Sequence, residues 1–267
     1  MAVWGASPQR GPGAEPLAFR LPALDGLRGV LAATVVADHA LTELGSKALG
    51  LEADIAVAAF FLLSGLVLTR AWDGRFGVFL ARRFIRLWPV FALSLAAAGL
   101  LAWRWPAALE FVWIPYPRYD ANELCPPMWS LFIEAWAALA MPAIAWSGRG
   151  GAWRSLGSVM ACLALAFLWR PENLAMRAFV SYLVCFVAGA ALSGADLRSR
   201  VLESSVPQWL GRVSYSLYLT HWLVLRATTR TLGVPGTLLG VVLSFAIAWL
   251  VWRFVERPSI HLSRKLA

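Results

Sequence analysis

The residues best able to do chemistry lie in an apolar stretch near the start of the chain. From Leu24 to Leu44 the sequence predicts a helix long enough to cross a bilayer, and it carries Arg28, Asp38 and His39. An unpaired charge in hydrocarbon costs roughly 2.5–3.5 kcal/mol even on the mildest scales, so such residues usually face a protein interior or a wet cavity and act there. His39 is therefore the first catalytic candidate, and a buried structural histidine is the alternative.

Arg28 and His39 share one face of this predicted helix. They are eleven residues apart, which returns them to within about 20° of one stripe, roughly 16 Å apart along the axis. One face therefore joins a cation near the membrane surface to a deeper imidazole. Asp25 is predicted to cap the helix, and Arg28 can reach the lipid headgroups, so a cap and an anchor are the alternative roles.

Glu134 is the second catalytic candidate. It lies in the stretch PPMWSLFIEAWAAL and is the only carboxylate of a predicted fourth span. At 1.5 Å per residue, Glu134 lies about 9 Å and His39 about 8 Å from the outer boundary, so the two are predicted to meet. A carboxylate beside a histidine fixes its tautomer and raises its basicity, which a general base requires.

Three arginines follow the second span in the stretch GRFGVFLARRFIRLWP, at positions Arg82, Arg83 and Arg86. Guanidinium groups present planar, bidentate donors to phosphate oxygens, so a cytoplasmic cluster beside the membrane could hold a phosphorylated cofactor. The alternative is a topology signal that anchors the chain at lipid headgroups.

Polar groups also fall inside two other apolar runs. Ser64 and Gly65 lie midway along the second span, where a small pair favours close helix packing over a nucleophilic serine. In the stretch LGRVSYSLYLTHWLV, Ser214, Tyr218 and His221 fall within about 40° of one stripe, which predicts a face turned to the bundle interior. Interhelical hydrogen bonding is favoured there over catalysis. The candidates for substrate contacts are Asp38, Ser64, Tyr218 and His221.

The composition indicates a polytopic membrane protein. The 267 residues are 60% hydrophobic and only 15% charged, with a mean hydropathy of +0.64, outside the range of soluble domains. The net charge of +9 sits in short loops between apolar runs, where it sets topology, so no nucleic-acid site is predicted. Two of the three cysteines lie in apolar runs, so no disulfide framework is expected.

The apolar runs predict an all-α bundle of about eight transmembrane spans. Of the 24 basic residues, 17 fall on one side of these spans and 7 on the other, which places both termini in the cytoplasm. The loop 106–127 then faces outward as a lid, residues 1–20 form a disordered lead, and 261–267 a short basic tail beyond the membrane domain 21–260. Pro258 is predicted to stop the last helix. The predicted spans are 24–44, 54–70, 87–105, 128–146, 153–169, 177–193, 209–226 and 236–254.

Six motifs, in order, resemble the integral-membrane acyltransferase 3 family. They are LDGLRG followed ten residues later by His39, FFLLSG, RRFIRLWP, WSLFIE, VSYSLYLTH and ERP. The resemblance covers about Arg20 to Pro258 and implies His39 as the catalytic histidine, with Arg28 and the Arg82–Arg86 cluster serving the acyl donor. Members generally have about ten spans, whereas here only two lie between WSLFIE and VSYSLYLTH.

The resemblance implies an acyltransferase of the bacterial inner membrane. It would move an acyl group, commonly acetyl from cytoplasmic acetyl-CoA, to a hydroxyl of a cell-envelope glycan or similar acceptor, without a metal. His39 would take the hydroxyl proton, either in direct transfer or through an acyl-histidine. The alternative function is a transporter or flippase of a glycan or lipid-linked substrate, because buried Arg, His and Glu residues also mark substrate pathways.

Overall fold

The computed structural model describes residues 21–46, 53–102, 126–169 and 174–266, which form helices and no β-strand within those ranges. The predicted N-terminal lead and nearly all of the predicted outer loop lie outside the described residues. The helices are α1 (Pro22–Glu43), α2 (Ala53–Ala71), α3 (Phe76–Ala102), α4 (Trp129–Leu139), α5 (Met141–Gly148), α6 (Ala152–Leu168), α7 (Leu174–Ala191), α8 (Ser205–Val251) and α9 (Arg257–Arg264).

The apolar helices confirm a polytopic membrane bundle. Among the described residues, four helices are long and apolar enough to cross a membrane, or five if the bent pair α4 and α5 counts as one span. The bounds of α2 follow the predicted run 54–70 closely, and those of α6, a shorter apolar helix outside this count, follow the predicted run 153–169. The count of eight spans and the cytoplasmic termini stay predictions.

Helix α8 is a hairpin of two arms. Gly233 has φ +63°, a left-handed conformation that glycine adopts without strain, and Pro235 follows it. The arms then run side by side: the Thr229 and Thr237 hydroxyls are 2.9 Å apart, and a Cβ on Gly240 would overlap the side chain of Thr228. These arms correspond to the seventh and eighth predicted spans.

Two predicted spans have different shapes in the structure. The fourth is broken into α4 and α5, which meet at an angle of 72°. Pro142 starts α5 and cannot donate a backbone hydrogen bond to the preceding turn, which explains the break. Helix α3 begins at Phe76 rather than at residue 87, so the three clustered arginines lie on a helix and not in a loop.

Both predicted helix boundaries that involved a cap or a stop are wrong. Leu21, not Asp25, is the N-cap of α1, because Pro22 occupies the first turn, where its missing N–H costs nothing. Pro258 does not stop the last helix either. The helix widens into a π turn over Trp252–Glu256. Pro258 then lies in the first turn of α9, where proline is tolerated.

Small residues let the helices that carry the site approach closely. A Cβ on Gly29 of α1 would overlap the backbone of Gly211 in α8. A Cβ on Gly65 of α2 would overlap the carbonyl of Phe186 in α7, which confirms the predicted packing role of the Ser64–Gly65 pair. The backbones of α1 and α8, and those of α2 and α7, therefore come into direct contact beside the polar interior.

Candidate active site

His39 on α1 meets His221 on the first arm of α8. Nδ1 of His39 lies 2.8 Å from Nε2 of His221, and the two ring planes are only 14° apart. His221 is completely buried, whereas His39 keeps part of its surface accessible. The prediction that His221 faces the bundle interior and bonds another helix is thus confirmed, with His39 as its partner.

The other nitrogen of His221 determines the direction of this hydrogen bond. Nδ1 of His221 lies 2.9 Å from the backbone carbonyl of Leu217, four residues earlier in α8. A carbonyl can only accept, so Nδ1 of His221 carries a proton. In the neutral ring, Nε2 is then an acceptor and takes the Nδ1–H of His39. The Nε2 lone pair of His39 is left available, which is what a general base needs.

An aromatic ring and two carboxylates surround His39. The indole of Trp222 contacts the imidazole edge-on, with ring centroids 5.0 Å apart. The carboxylates of Asp38 and Asp54 interact electrostatically with His39, and Asp54 is exposed at the start of α2. Their negative charge stabilises an imidazolium when His39 accepts a proton.

The predicted pairing of Glu134 with His39 is wrong. Glu134 forms an ion pair with Arg83 of α3 and accepts a hydrogen bond of 3.2 Å from Ser64 of α2. The two depths agreed, but depth along a helix does not fix the direction in which a side chain points. In α4 the carboxylate turns toward α2 and α3, whereas His39 turns toward α8.

The three clustered arginines separate in the structure. Arg83 is engaged by Glu134. Nε of Arg82 donates to the carbonyl of Leu266 at 3.0 Å, which fastens the end of the chain to α3. Arg86 alone is exposed while lying within electrostatic range of the other interior charges, which are Arg28, Arg83, Glu134 and Glu256.

Two neighbours of Arg86 in this group of charges also keep accessible surface. Tyr215 of α8 lies in the same group of charges and also keeps accessible surface, and its hydroxyl donates to the Leu87 carbonyl at 2.8 Å. Arg28 is partly accessible as well and bonds Asp25 through Nη1 at 3.2 Å. The part of the bundle around Arg86 is therefore polar and partly accessible.

Glu256 has no role in the sequence-based predictions, although it begins the ERP motif. It is buried and accepts a hydrogen bond of 2.6 Å from Ser216 of α8. The available signal was a carboxylate directly after an apolar run. Tyr218, a predicted substrate contact, hydrogen-bonds Ser130 of α4 at 2.9 Å, beside the His39–His221 pair.

The comparison with protein families assigns the sequence to a known class. Residues 21–200 match the family model described as an acyltransferase domain, and this chain belongs to that family, the acyltransferase 3 family. The matched region includes His39, Arg83, Arg86 and Glu134. His221 and Glu256 lie beyond it.

Two curated relatives are similar to the chain. Protein 2 in the picA locus of Rhizobium radiobacter is 34% identical over 127 residues, which cover 45% of this chain and 63% of that protein. Acyltransferase MdmB of Streptomyces mycarofaciens is 24% identical over 320 residues, which cover 82% of each chain. The longer alignment exceeds the 267 residues of this chain, so that relative carries additional residues inside the matched region. No solved structure matches the chain.

Proposed function

We propose that this protein is a membrane acyltransferase that moves an acyl group from an acyl-CoA to the hydroxyl of an acceptor. The observation that carries the proposal is Nε2 of His39, which has no hydrogen-bond partner among the described residues while Nδ1 is bonded to His221. Family membership and the similarity to an acyltransferase of Streptomyces mycarofaciens support acyl transfer as the reaction class.

The reaction follows from the position of this base. Nε2 of His39 accepts the proton of the acceptor hydroxyl while the hydroxyl oxygen attacks the thioester carbonyl carbon. The tetrahedral intermediate then breaks its C–S bond, and the thiolate of CoA takes the proton back from Nε2. An ester and a free thiol result, and His39 returns to its starting state.

The donor is proposed to enter beside Arg86, whose side chain is exposed. CoA carries its phosphates at one end of a long arm and the thioester at the other. Arg28 and His39, both on α1, are separated by about 16 Å along the helix axis, so a donor held by Arg28 and Arg86 can present its thioester near the imidazole. Arginine suits this purpose because its donors match phosphate oxygens.

Acetyl-CoA is the proposed donor, and a hydroxyl of a cell-envelope glycan is the proposed acceptor. We place the donor site on the cytoplasmic side of a bacterial inner membrane and the acceptor on the side of Asp38 and Asp54. The groups around His39 suit a glycan. The aromatic ring can stack on a sugar ring, and the carboxylates can accept hydrogen bonds from the sugar hydroxyls.

The test uses the purified full chain in lipid nanodiscs with isotope-labelled acetyl-CoA and extracted envelope glycans. Mass spectrometry is expected to show the acyl mass added to the glycan, with release of one CoA thiol per ester formed. Glycan movement across proteoliposomes without any ester would instead identify a transporter. Release of the thiol without an esterified glycan would contradict the proposed acceptor.

A further inference from the structure

We infer that His221 is a positioning residue that locks His39 in its Nδ1–H tautomer and so makes Nε2 the catalytic nitrogen. The inference rests on the proposed function for its kinetic consequence. The tautomer itself follows from the geometry of the pair, and it can be measured without any substrate.

The chain of hydrogen bonds ends at a group that can only accept, the backbone carbonyl of Leu217. The Leu217 carbonyl accepts from Nδ1 of His221, and Nε2 of His221 then faces Nδ1 of His39 at 2.8 Å. The carbonyl cannot reverse its role. A neutral His221 therefore has one possible tautomer, and that tautomer leaves one possible donor, the Nδ1–H of His39.

A charged His221 is the only arrangement that would reverse the bond. It would require an imidazolium at a completely buried position. None of the ion pairs among the described residues includes His221, whose ring lies against those of His39 and Tyr218. A buried charge without a counter-ion is strongly unfavourable, so the neutral ring is the stable form.

The same asymmetry keeps the transferred proton on His39. Asp38 and Asp54 act electrostatically on His39, and Trp222 contacts the His39 ring edge-on. The guanidinium carbon of Arg226 lies 5.7 Å from the centroid of the Trp222 ring. When Nε2 takes the hydroxyl proton, the positive charge forms beside the carboxylates. His221 thus orients the base and does not relay its proton.

The direct test is nitrogen NMR of the full chain labelled with ¹⁵N-histidine in lipid nanodiscs. The chain has three histidines, so replacing each by glutamine assigns the signals, and the exposed His261 serves as a reference. We expect Nδ1 protonated and Nε2 bare in both His39 and His221, with coupling between Nδ1 of His39 and Nε2 of His221. A protonated Nε2 on His39, or a doubly protonated His221 at neutral pH, would overturn the inference.

A kinetic test separates positioning from folding. His221→Leu removes the acceptor and is expected to lower kcat by about 10- to 100-fold, with KM for acetyl-CoA unchanged, because the base remains but loses its orientation. His221→Gln offers an amide oxygen to the same N–H and is expected to recover most of the rate. Thr220→Val, a buried neighbour whose hydroxyl bonds only within α8, is the control.

The outcomes distinguish the inference from the proposed function. If the wild-type chain transfers no acyl group, the proposed function fails, and the NMR result still decides the tautomer. If transfer occurs but His221→Leu keeps wild-type kcat, the positioning role is refuted. Equal loss in His221→Gln and His221→Leu, with Thr220→Val active, would likewise show that hydrogen-bond acceptance is not what His221 supplies.

Discussion

The ion pair between Arg83 and Glu134 is predicted to contribute strongly to stability. Their side chains retain only 13% and 22% exposure. Removing one partner of a fully buried pair costs about 3–5 kcal/mol, so Glu134→Ala is expected to cost about 2–4 kcal/mol after allowance for this residual exposure. For a chain of this size the loss corresponds to a drop in Tm of roughly 5–15 °C.

Thermal unfolding in a fixed detergent, followed by intrinsic tryptophan fluorescence, measures this loss. The matched control is Arg75→Ala, which removes an ion pair with Asp73 of 3.1 Å whose side chains are 54% and 45% exposed. An exposed pair contributes about 0–1 kcal/mol, so the control should shift Tm by a few degrees at most.

A double-mutant cycle decides whether the loss belongs to the pair. Glu134→Leu combined with Arg83→Met removes both charges, so the double variant should lose clearly less than the sum of the two single variants. Additive losses, or equal Tm shifts for Glu134→Ala and Arg75→Ala, would refute the reasoning. Because Glu134 does not contact His39, Glu134→Gln should also leave the pH optimum of transfer unchanged.

Three further predictions follow from the packing, the proposed donor site and the charge distribution. Gly65→Val should lower Tm by several degrees, because the new valine side chain would overlap the Phe186 backbone. Gly77→Ala should leave Tm unchanged, because position 77 faces open space. Equal Tm shifts for the two variants would contradict the close crossing of α2 and α7. Arg86→Gln should raise KM for acetyl-CoA more than it lowers kcat, since a phosphate contact far from the reacting carbon contributes uniform binding; an unchanged KM would remove Arg86 from the donor site. Lys265→Cys in a cysteine-free background should resist impermeant thiol reagents in intact cells, and labelling would reverse the predicted topology.

Hydropathy was sufficient to locate most helices of the bundle. The predicted runs 54–70 and 153–169 became Ala53–Ala71 and Ala152–Leu168, because burial in lipid requires long uninterrupted apolar segments. Hydropathy failed at the start of α3, where arginines interrupt the apolar run. Those arginines find a carboxylate and a carbonyl in the folded chain, so the helix continues through them.

The sequence predicted which residues line the candidate site better than it predicted which of them contact each other. The cost of an ionisable group in hydrocarbon predicts an interior position for His39, and helical periodicity predicts one for His221. Their mutual hydrogen bond was not predictable, since 182 residues separate them and periodicity gives no relative rotation of two helices. For the same reason, because the rotation of one helix relative to another was unknown, Glu134 was paired with His39 instead of Arg83. The tautomer of His39 depends on the Leu217 carbonyl, a backbone group that carries no sequence signal.

The most direct measurement of the central claim is the rate of acyl transfer from labelled acetyl-CoA to envelope glycan by wild-type protein and by His39→Ala. Both are measured in nanodiscs, at matched amounts of folded protein, with Thr220→Val as the folding control. A general base typically supplies 10²- to 10⁴-fold, so kcat for His39→Ala is predicted to fall by about that factor while KM for acetyl-CoA changes little. Near wild-type turnover by His39→Ala would contradict the account.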